Sequence, residues 1–505
     1  MIKKETLKKI FTPSNIFMLL GIVLIFFIAL RPPTDPDMGW HLKDGEYLVQ
    51  HHLHAAKTDI FSYTMPDFPL IMHEWVTDVL MFVTYKSVGL FPLAVMFALI
   101  ITGAFLLASF GVAAKREYKI IAAILGAIAS VPVLGVRPQM FNLLGLAAAI
   151  FVIFKYRKDA NTKLVYFLPP LFLAWVNLHG GFSVGLFFVG LFLGLEFAKL
   201  GMAYVTGKLK ARNWISLTSD WLGKNTLEIR AAKKLTFIFG ASILATLINP
   251  YGWRVYIEVV TTIFDSYAKA NIGEWMPVTW TNPMSFQFII YLVLLGILLL
   301  MSSRKIDLTY LAMAVVFLFL AFSSWRHMPI FLIITTPLWV NIVETIAGSE
   351  LLKLVRKKWF LILLAAATVI TAQQQIKKVF PVSVSIDELA KTGAYPLGAV
   401  RYLQQNPIDG KMFNEYNWGG FLIWQYPEKK VFIDGRMPSW KIGGFRVFEE
   451  FNNTMSYNEG WDKTFGKYDV SFALVYNNPI NEAAFGSIGW KKAYSDSLSA
   501  IYQKQ

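Results

Sequence analysis

Over roughly its first three quarters the chain alternates long apolar runs with short polar ones. Nonpolar blocks of roughly 14 to 25 residues recur near 16–30, 91–112, 119–136, 139–155, 164–177, 182–199, 235–250, 286–302, 308–322, 329–345 and 359–373, lengths suited to a hydrocarbon core about 30 Å thick. Together they predict about eleven transmembrane helices, the shortest of them tilted or truncated. After residue 373 the pattern becomes polar and aromatic. Phe421-Leu422-Ile423-Trp424, Val431-Phe432-Ile433 and Ser471 to Tyr476 read as strands, and Leu397 to Gln405 as a helix. Trp418-Gly419-Gly420 and Asp434-Gly435-Arg436 supply the turns. The predicted fold class is a polytopic α-helical membrane protein with a C-terminal α/β domain. Residues 1–373 form the membrane module, with its first outer loop at 31–74, and 374–505 form the soluble domain.

Charge fixes an orientation. Of 505 residues 55% are hydrophobic and 16% charged, against about 25% charged in soluble domains, which excludes a single soluble globule. Lys+Arg 48 against Asp+Glu 33 gives a net charge of +15. The excess lies in short loops between apolar blocks, where it orients spans, so no nucleic-acid partner is expected. Lys3, Lys4, Lys8 and Lys9 precede a first run with no small-residue cleavage site after it, which predicts a retained span and a cytoplasmic N-terminus. Further cytoplasmic loops hold Lys115, Arg116 and Lys119; Lys155, Arg157, Lys158 and Lys163; Lys208 to Lys234; Arg304 and Lys305; and Lys353, Arg356, Lys357 and Lys358. The outer loops are then 31–74, 137–139, 177–181, 249–283 and 323–329, and they carry all seven histidines. The expected setting is a cell inner (plasma) membrane, crossed many times, with the C-terminal domain extracytoplasmic. The alternation requires Trp75 to Gly89, with Asp78 and Lys86, to be an interfacial or re-entrant helix. If it crosses, the spans number about twelve and the loops after it invert.

With no cysteine in the sequence, disulfides, thiolate metal sites and cysteine nucleophiles are excluded. Nor is there a Walker A, a dinucleotide fingerprint, a His-Glu-x-x-His or a nucleophile elbow. Carboxylates, imidazoles and cations remain. The first outer loop is acidic and rich in histidine: Asp35-Pro36-Asp37, His41, Asp59, and then His73-Glu74-Trp75 where the chain returns to the membrane. Asp35 and Asp37 follow the first span directly, where a carboxylate stays ionised within reach of a lipid head group, as a general base requires. The same triplet is equally a turn and helix cap. A juxtamembrane surface helix is expected over Leu42 to Leu53. His73 and Glu74 read either as catalytic or orienting groups or as an interfacial cap beside Trp75. Adjacent histidines on a surface helix point apart, so His51, His52 and His54 make a poor metal site. The short outer loops contribute Arg137, His179, Arg326 and His327. Each is a candidate for a phosphate site, and each arginine could instead snorkel to lipid phosphate. Gly180-Gly181 would let backbone amides approach an anion, and Glu274 could add a carboxylate.

With these residues in place, the chain resembles the GT-C superfamily of integral-membrane glycosyltransferases. The likeness covers roughly residues 14 to 345: a first span, an outer loop opening with Asp35 and Asp37, a juxtamembrane helix, and His73-Glu74-Trp75 before re-entry. More closely it resembles a bacterial membrane-protein group of that architecture, through Asp35-Pro36-Asp37-Met38-Gly39-Trp40-His41-Leu42, Asp59 to Thr64, Arg137 to Asn142, Trp175 to Gly181, Tyr416 to Trp424 and Val431 to Arg436. The resemblance implies transfer of a hexose or pentose from a polyprenyl-phosphate donor to a glycan, lipid or protein acceptor on the outer face, with inversion, in a bacterial cell envelope. Asp37 or Asp35 would be the base, His73 and Glu74 would orient it or the acceptor, and Arg137, His179, Arg326 and His327 would hold the leaving phosphate. Some members carry more acids in the second outer loop and bind a divalent metal. Arg137-Pro138-Gln139 stands there in this chain, which leaves the metal open. The rival readings are a flippase or transporter of a polyprenyl-linked glycan, to which Glu196 and Asp78 would lend support, and an oligosaccharide ligase.

Overall fold

The computed structural model describes residues 12–208, 226–302 and 306–505. Lys3, Lys4, Lys8, Lys9, the stretch 209–225, and Arg304 with Lys305 lie outside the described residues. The helices run α1 (Pro13–Ala29), α2 (Met38–Gln50), α3 (Trp75–Val88), α4 (Leu90–Phe110), α5 (Arg116–Ser130), α6 (Met140–Lys158), α7 (Leu168–Leu178), α8 (Phe182–Lys208) and α9 (Ile229–Ala245). They continue as α10 (Arg254–Phe264), α11 (Ser266–Asn271), α12 (Phe286–Met301), α13 (Leu308–Ser323), α14 (Met328–Val355) and α15 (Lys358–Val384). Every run expected to span coincides with one of them. Among the described residues six helices are long and apolar enough to cross a membrane: Leu90–Phe110, Met140–Lys158, Phe182–Val205, Pro283–Met301, Trp325–Ile346 and Lys358–Val384. Pro13–Ala29, Lys163–Leu178 and Leu308–Ser323 are shorter apolar helices.

The C-terminal part contains α16 (Ile386–Gly393), α17 (Leu397–Gln405), β1 (Lys411–Asn414), α18 (Gly419–Gln425), α19 (Val447–Met455), α20 (Lys463–Tyr468), β2 (Val470–Tyr476), α21 (Pro479–Ser487), β3 (Lys491–Ser495) and β4 (Ser499–Gln503). One sheet of order β1-β2-β4-β3 results, with β1 parallel to β2 and the other two pairings antiparallel. The central β2 buries Phe472, Ala473, Leu474 and Val475 in succession, the signature of a strand covered on both faces. Two strand expectations change. Phe421 to Trp424 lies inside α18, because a short unbroken apolar run serves a buried helix as well as a buried strand. Val431 makes a single bridge to Ser62 rather than joining the sheet.

Two compact units divide the chain. The first comprises residues 1–31, 95–252 and 270–377, and the second 32–94, 253–269 and 378–505. In the first, α1 starts at Pro13 behind a Thr12 cap whose hydroxyl accepts from the Asn15 amide, and Phe17, Ile120 and Val355 form a shared core. Glycines let its helices approach closely: a Cβ at Gly145 or Gly185 would overlap the Trp175 ring. In the second, the first outer loop is bonded into the C-terminal segment. Val431 N–H donates to Phe61 O (3.0 Å), the Tyr63 hydroxyl to Met412 O (2.9 Å), and the Thr64 hydroxyl to Phe432 O (2.7 Å). Phe68 stacks on Trp440 at 4.2 Å. Hydropathy groups residues 31–74 with the spans, whereas residues 32–94 belong to the compact unit that holds 378–505.

Candidate functional site

Helix α2 carries His41 and Asp44, and helix α3 carries Asp78 with Glu74 at its N-cap. The juxtamembrane helix expected over 42–53 runs from Met38 to Gln50. It lies against α3 and α18 because glycines face both: a Cβ at Gly45 would overlap the carbonyl of Asp78, and one at Gly39 the carbonyl of Gly420. This brings His41 Nδ1 to 2.7 Å from Asp78 Oδ1 and 3.7 Å from Glu74 Oε2. His73 Nε2 stands 3.7 Å from Glu74 Oε1. His41 and Asp78 are buried, and Glu74 is nearly so. Burial pushes the Asp78 carboxyl well above its usual range, and the Glu74 charge adds to that effect. One turn along α2, buried Asp44 is pushed up as well, chiefly by burial, with Arg436 opposing and Asp78 reinforcing. Asp44 Oδ1 accepts no hydrogen bond.

Asp35 and Asp37 are half-buried and differ in what holds them. Asp35 Oδ1 accepts the Asp37 amide at 3.0 Å, the turn-forming use of an Asp-Pro-Asp triplet. Asp37 Oδ1 accepts the Trp40 indole N–H at 2.9 Å and abuts Gly435, where a Cβ would collide with it. The Tyr395 hydroxyl donates to Thr34 O (2.9 Å); burial raises its pKa, and the nearby Asp35 and Asp37 charges raise it further. Asp37 therefore presents a carboxylate oriented by an indole, on the loop that α18 and the Asp434-Gly435-Arg436 turn support.

Arg436 is the buried ion of this unit. Its guanidinium donates to Asp434 Oδ2 (2.7 Å) and Asp59 Oδ1 (2.9 Å) and lies over Phe61 and Trp440. Burial opposes its charge, but Asp434 and Asp59 raise its pKa overall. Asp59 also accepts the amides of Phe61 and Ser62. Asn414, at the end of β1, bonds Phe432 N–H and Ile433 O, and the Trp418 indole donates to Ala394 O. Asn414 and Trp418 thus brace the C-terminal segment internally, and Arg436 ties it to the outer loop through Asp59.

The cations lie in the other unit. Arg137 Nη1 and Arg326 Nε both donate to Glu274, at 2.5 and 3.0 Å to its two oxygens. Arg326 also lies over the Trp275 ring at 4.9 Å. Burial works to raise the Glu274 pKa, but the two guanidiniums bring it to about 2. Three residues from three separate loops thus meet with one net positive charge. His327 faces the end of α13, Nδ1 lying 3.1 Å from Leu320 O, with its ring edge-on to Trp275.

His179 is not a cation here. Its Nδ1 accepts the Gly181 amide at 2.8 Å, so that nitrogen bears no proton, and Asn142 Nδ2 lies 2.9 Å away. The Asn142 oxygen in turn accepts the Trp175 indole N–H at 2.9 Å. A Cβ at Gly181 would overlap the Asn142 side chain, so the second glycine is needed for this approach. Its amide is committed to His179, in contrast to the expected role of binding an anion. The 137–142 and 175–181 motifs are one interlocked structure.

The two acids left over by the sequence also have partners. Glu196 accepts from Lys199 (2.5 Å) and the Leu227 amide (2.8 Å) within a buried group that includes Arg157, Asp307 and Thr309. Asp78 is held by His41.

His41, Glu74 and Asp78 offer donor atoms all within 4.8 Å of one another, a nitrogen and two carboxylates that fit a divalent cation. Buried Asp78 and nearly buried Glu74 beside the His41 imidazole, with the Asp44 oxygen unsatisfied close by, suit such a charge. The residues single out this trio over His51, His52 and His54, which are exposed. The spacing His41 to Glu74 to Asp78 was readable only in part: Glu74 and Asp78 are one helical turn apart, but nothing local ties them to position 41.

No protein-family model matches the chain, and no curated protein matches it. Among solved structures, the chain is similar over 99% of its length, and over 75% of the other chain, to the Archaeoglobus fulgidus oligosaccharyltransferase tethered with an acceptor peptide containing the NVT sequon, at 12% identity and a TM-score of 0.57. A second structure of that protein, in complex with Zn and sulfate, aligns over 97% of this chain and 73% of its own at 12% identity and a TM-score of 0.46. The fold is thus of the kind seen in that oligosaccharyltransferase.

Proposed function

We propose that this chain is a membrane glycosyltransferase that moves a sugar from a polyprenyl-phosphate donor to an acceptor on the outer face of the membrane. The observation that carries the reading is the backbone correspondence with an oligosaccharyltransferase over 99% of the chain. The residues suit the chemistry. Asp37, oriented by the Trp40 indole, takes the proton of the acceptor hydroxyl as its oxygen bonds to the anomeric carbon. The bond from that carbon to the phosphate oxygen breaks on the opposite face, its electron pair leaves with the polyprenyl phosphate, and the configuration inverts. The leaving group then needs positive charge and no acid. Arg137 and Arg326, held in place by Glu274, carry one net charge for this purpose, and neutral His179 contributes an N–H rather than a charge. His327 serves to shape the loop that presents Arg326. Asp35 holds the turn, and Glu74 with His73 orients the acceptor side.

His41, Glu74 and Asp78 are the residues that would hold a divalent cation. Such an ion would draw charge from a donor phosphate or acceptor oxygen. Retention of a stoichiometric ion by purified protein, and its loss in Asp78→Asn, tests this without reference to turnover.

The neighbour's acceptor peptide favours a second reading, in which a whole oligosaccharide is moved. One experiment addresses both: purified protein in liposomes, given radiolabelled polyprenyl-phosphate monosaccharides and polyprenyl-linked oligosaccharides, with glycan, lipid and sequon-peptide acceptors. Transfer lost in Asp37→Asn supports the assignment. Asp37→Asn with unchanged turnover on its native donor would falsify it, and lipid translocation without any transfer would favour a flippase.

A further inference from the structure

Helix α10 is amphipathic the wrong way round for a helix packed on a protein in water. Trp253, Ile257, Val260 and Phe264 recur at i, i+4, i+7 and i+11, one face of the helix, and are 66%, 49%, 52% and 77% exposed. The other face is turned inward, with Val255 buried and Glu258 drawn up in pKa by burial while the His73 charge opposes. The segment is fixed in its unit by polar contacts. Asp265 accepts from Arg446 Nη2 at 2.6 Å, the Tyr267 hydroxyl from Asn452 at 3.1 Å, and Arg446 lies over the Tyr267 ring. An aromatic-rich ridge is therefore held outward on a rigid mount.

The geometry points to the outer leaflet of the bilayer as the surface that covers this ridge, which we propose as a membrane-docking site of the unit containing residues 32–94, 253–269 and 378–505. Three observations favour lipid. The chain reaches α10 from Leu244, Leu247 and Ile248, all exposed, and leaves it for Trp280, Met284 and Phe286, also exposed, at the start of the span Pro283–Met301. Exposed apolar residues thus precede and follow α10 in the sequence. Trp253 and Trp280 are the amphipathic rings that favour the interface. Exposed Arg254 and Lys269 flank the ridge and match anionic head groups. Docking of this kind would set the height of the acidic cluster above the lipid, and it holds whether or not the protein transfers sugar.

The absence of cysteine makes the test direct. Ile257→Cys, Val260→Cys and Phe264→Cys, with Ser266→Cys and Lys269→Cys as references, are each labelled with a nitroxide in the full chain reconstituted in lipid nanodiscs, and collisions with oxygen and with a water-soluble nickel chelate are measured. The three ridge positions are expected to show a several-fold higher oxygen-to-nickel ratio than the two references, at depths of about 5–10 Å below the phosphates. Equal nickel access at ridge and reference positions would overturn the proposal. So would spin–spin broadening at the ridge that vanishes on dilution with unlabelled protein, since a second copy of the chain would then cover it.

Discussion

In one unit two carboxylates, buried Asp78 and nearly buried Glu74, crowd the His41 imidazole; in the other, one carboxylate, Glu274, lies between two guanidiniums. Asp78 is pushed up and Glu274 brought down to about 2. Burial acts on both in the same sense, so the sign of the neighbours decides the outcome. The two guanidiniums hold Glu274 in its charged form, while burial favours the protonated form of Asp78, whose proton a divalent cation could replace. A proton acceptor belongs with the acids, and a holder of phosphate charge with the arginines.

The sharpest way to break this contrast is within the acidic loop itself. Asp37→Asn is expected to lower turnover by roughly 10² to 10⁴, whereas Asp35→Asn should stay within about tenfold, because an amide oxygen can still accept the Asp37 N–H. Initial rates with a labelled donor in proteoliposomes decide it. Equal losses would mean that the turn, not the base, had been damaged in both.

Arg436→Met probes the buried ions that join the outer loop to the C-terminal segment. Removing the guanidinium leaves Asp59 and Asp434 buried without their cation, and breaking such a pair costs about 3–5 kcal/mol. The expected outcome is a large fall in Tm together with rapid proteolysis within residues 57–70. A variant that melts like the parent would show that the two carboxylates find other donors.

The apolar helices were legible in the sequence, because a long hydrophobic run has few other uses, and six of them among the described residues are long enough to cross a membrane. So was the candidate chemistry by type: Asp37, Glu74, Arg137 and Arg326 are all recognisable as polar groups beside spans. Their partners were not. Glu274 reads as one acid in a long loop, and only the fold brings it between two arginines that lie 137 and 52 residues away. His179 reads as a cation until the Gly181 amide is seen to occupy its Nδ1. Likewise the pairing of 59–64 with 431–436 depends on backbone hydrogen bonds between distant segments, to which composition is blind. Val431 to Ile433 has the composition of a strand and makes one bridge, because its neighbour in the fold is an outer-loop segment rather than the sheet.

In the arginine group the effect is smaller and more specific. Arg326→Ala removes one of two fixed donors, and a loss of roughly 10- to 10³-fold in kcat/KM is expected, less than for the base. Arg326→Lys should recover only part of it, since an ammonium reproduces neither the planar fork nor the stacking on Trp275. Kinetics with a neutral, phosphate-free lipid as competitor separates lost charge recognition from lost packing: recognition is in question if both variants bind donor as the parent does.

The smallest expected effect lies where burial acts with no opposing cation. Glu415 is buried, and burial raises its carboxyl from the usual range to about 7, while the Tyr476 N–H at 3.3 Å only partly offsets this. The folded chain thus holds a proton that the unfolded chain releases between about pH 4.5 and 7, so stability is complete below that window and falls as pH rises through it. The fall is about 3.5 kcal/mol at most, at about 1.4 kcal/mol for each pKa unit. Glu415→Gln keeps an oxygen for the Tyr476 amide and has no proton to lose. Melting curves should therefore show a drop from pH 5 to pH 8 in the parent that is largely absent in the variant, with the variant gaining on the parent at pH 8. An equal slope in both would assign the pH dependence to Asp44 and Asp78, whose carboxyls are raised by burial in the same unit.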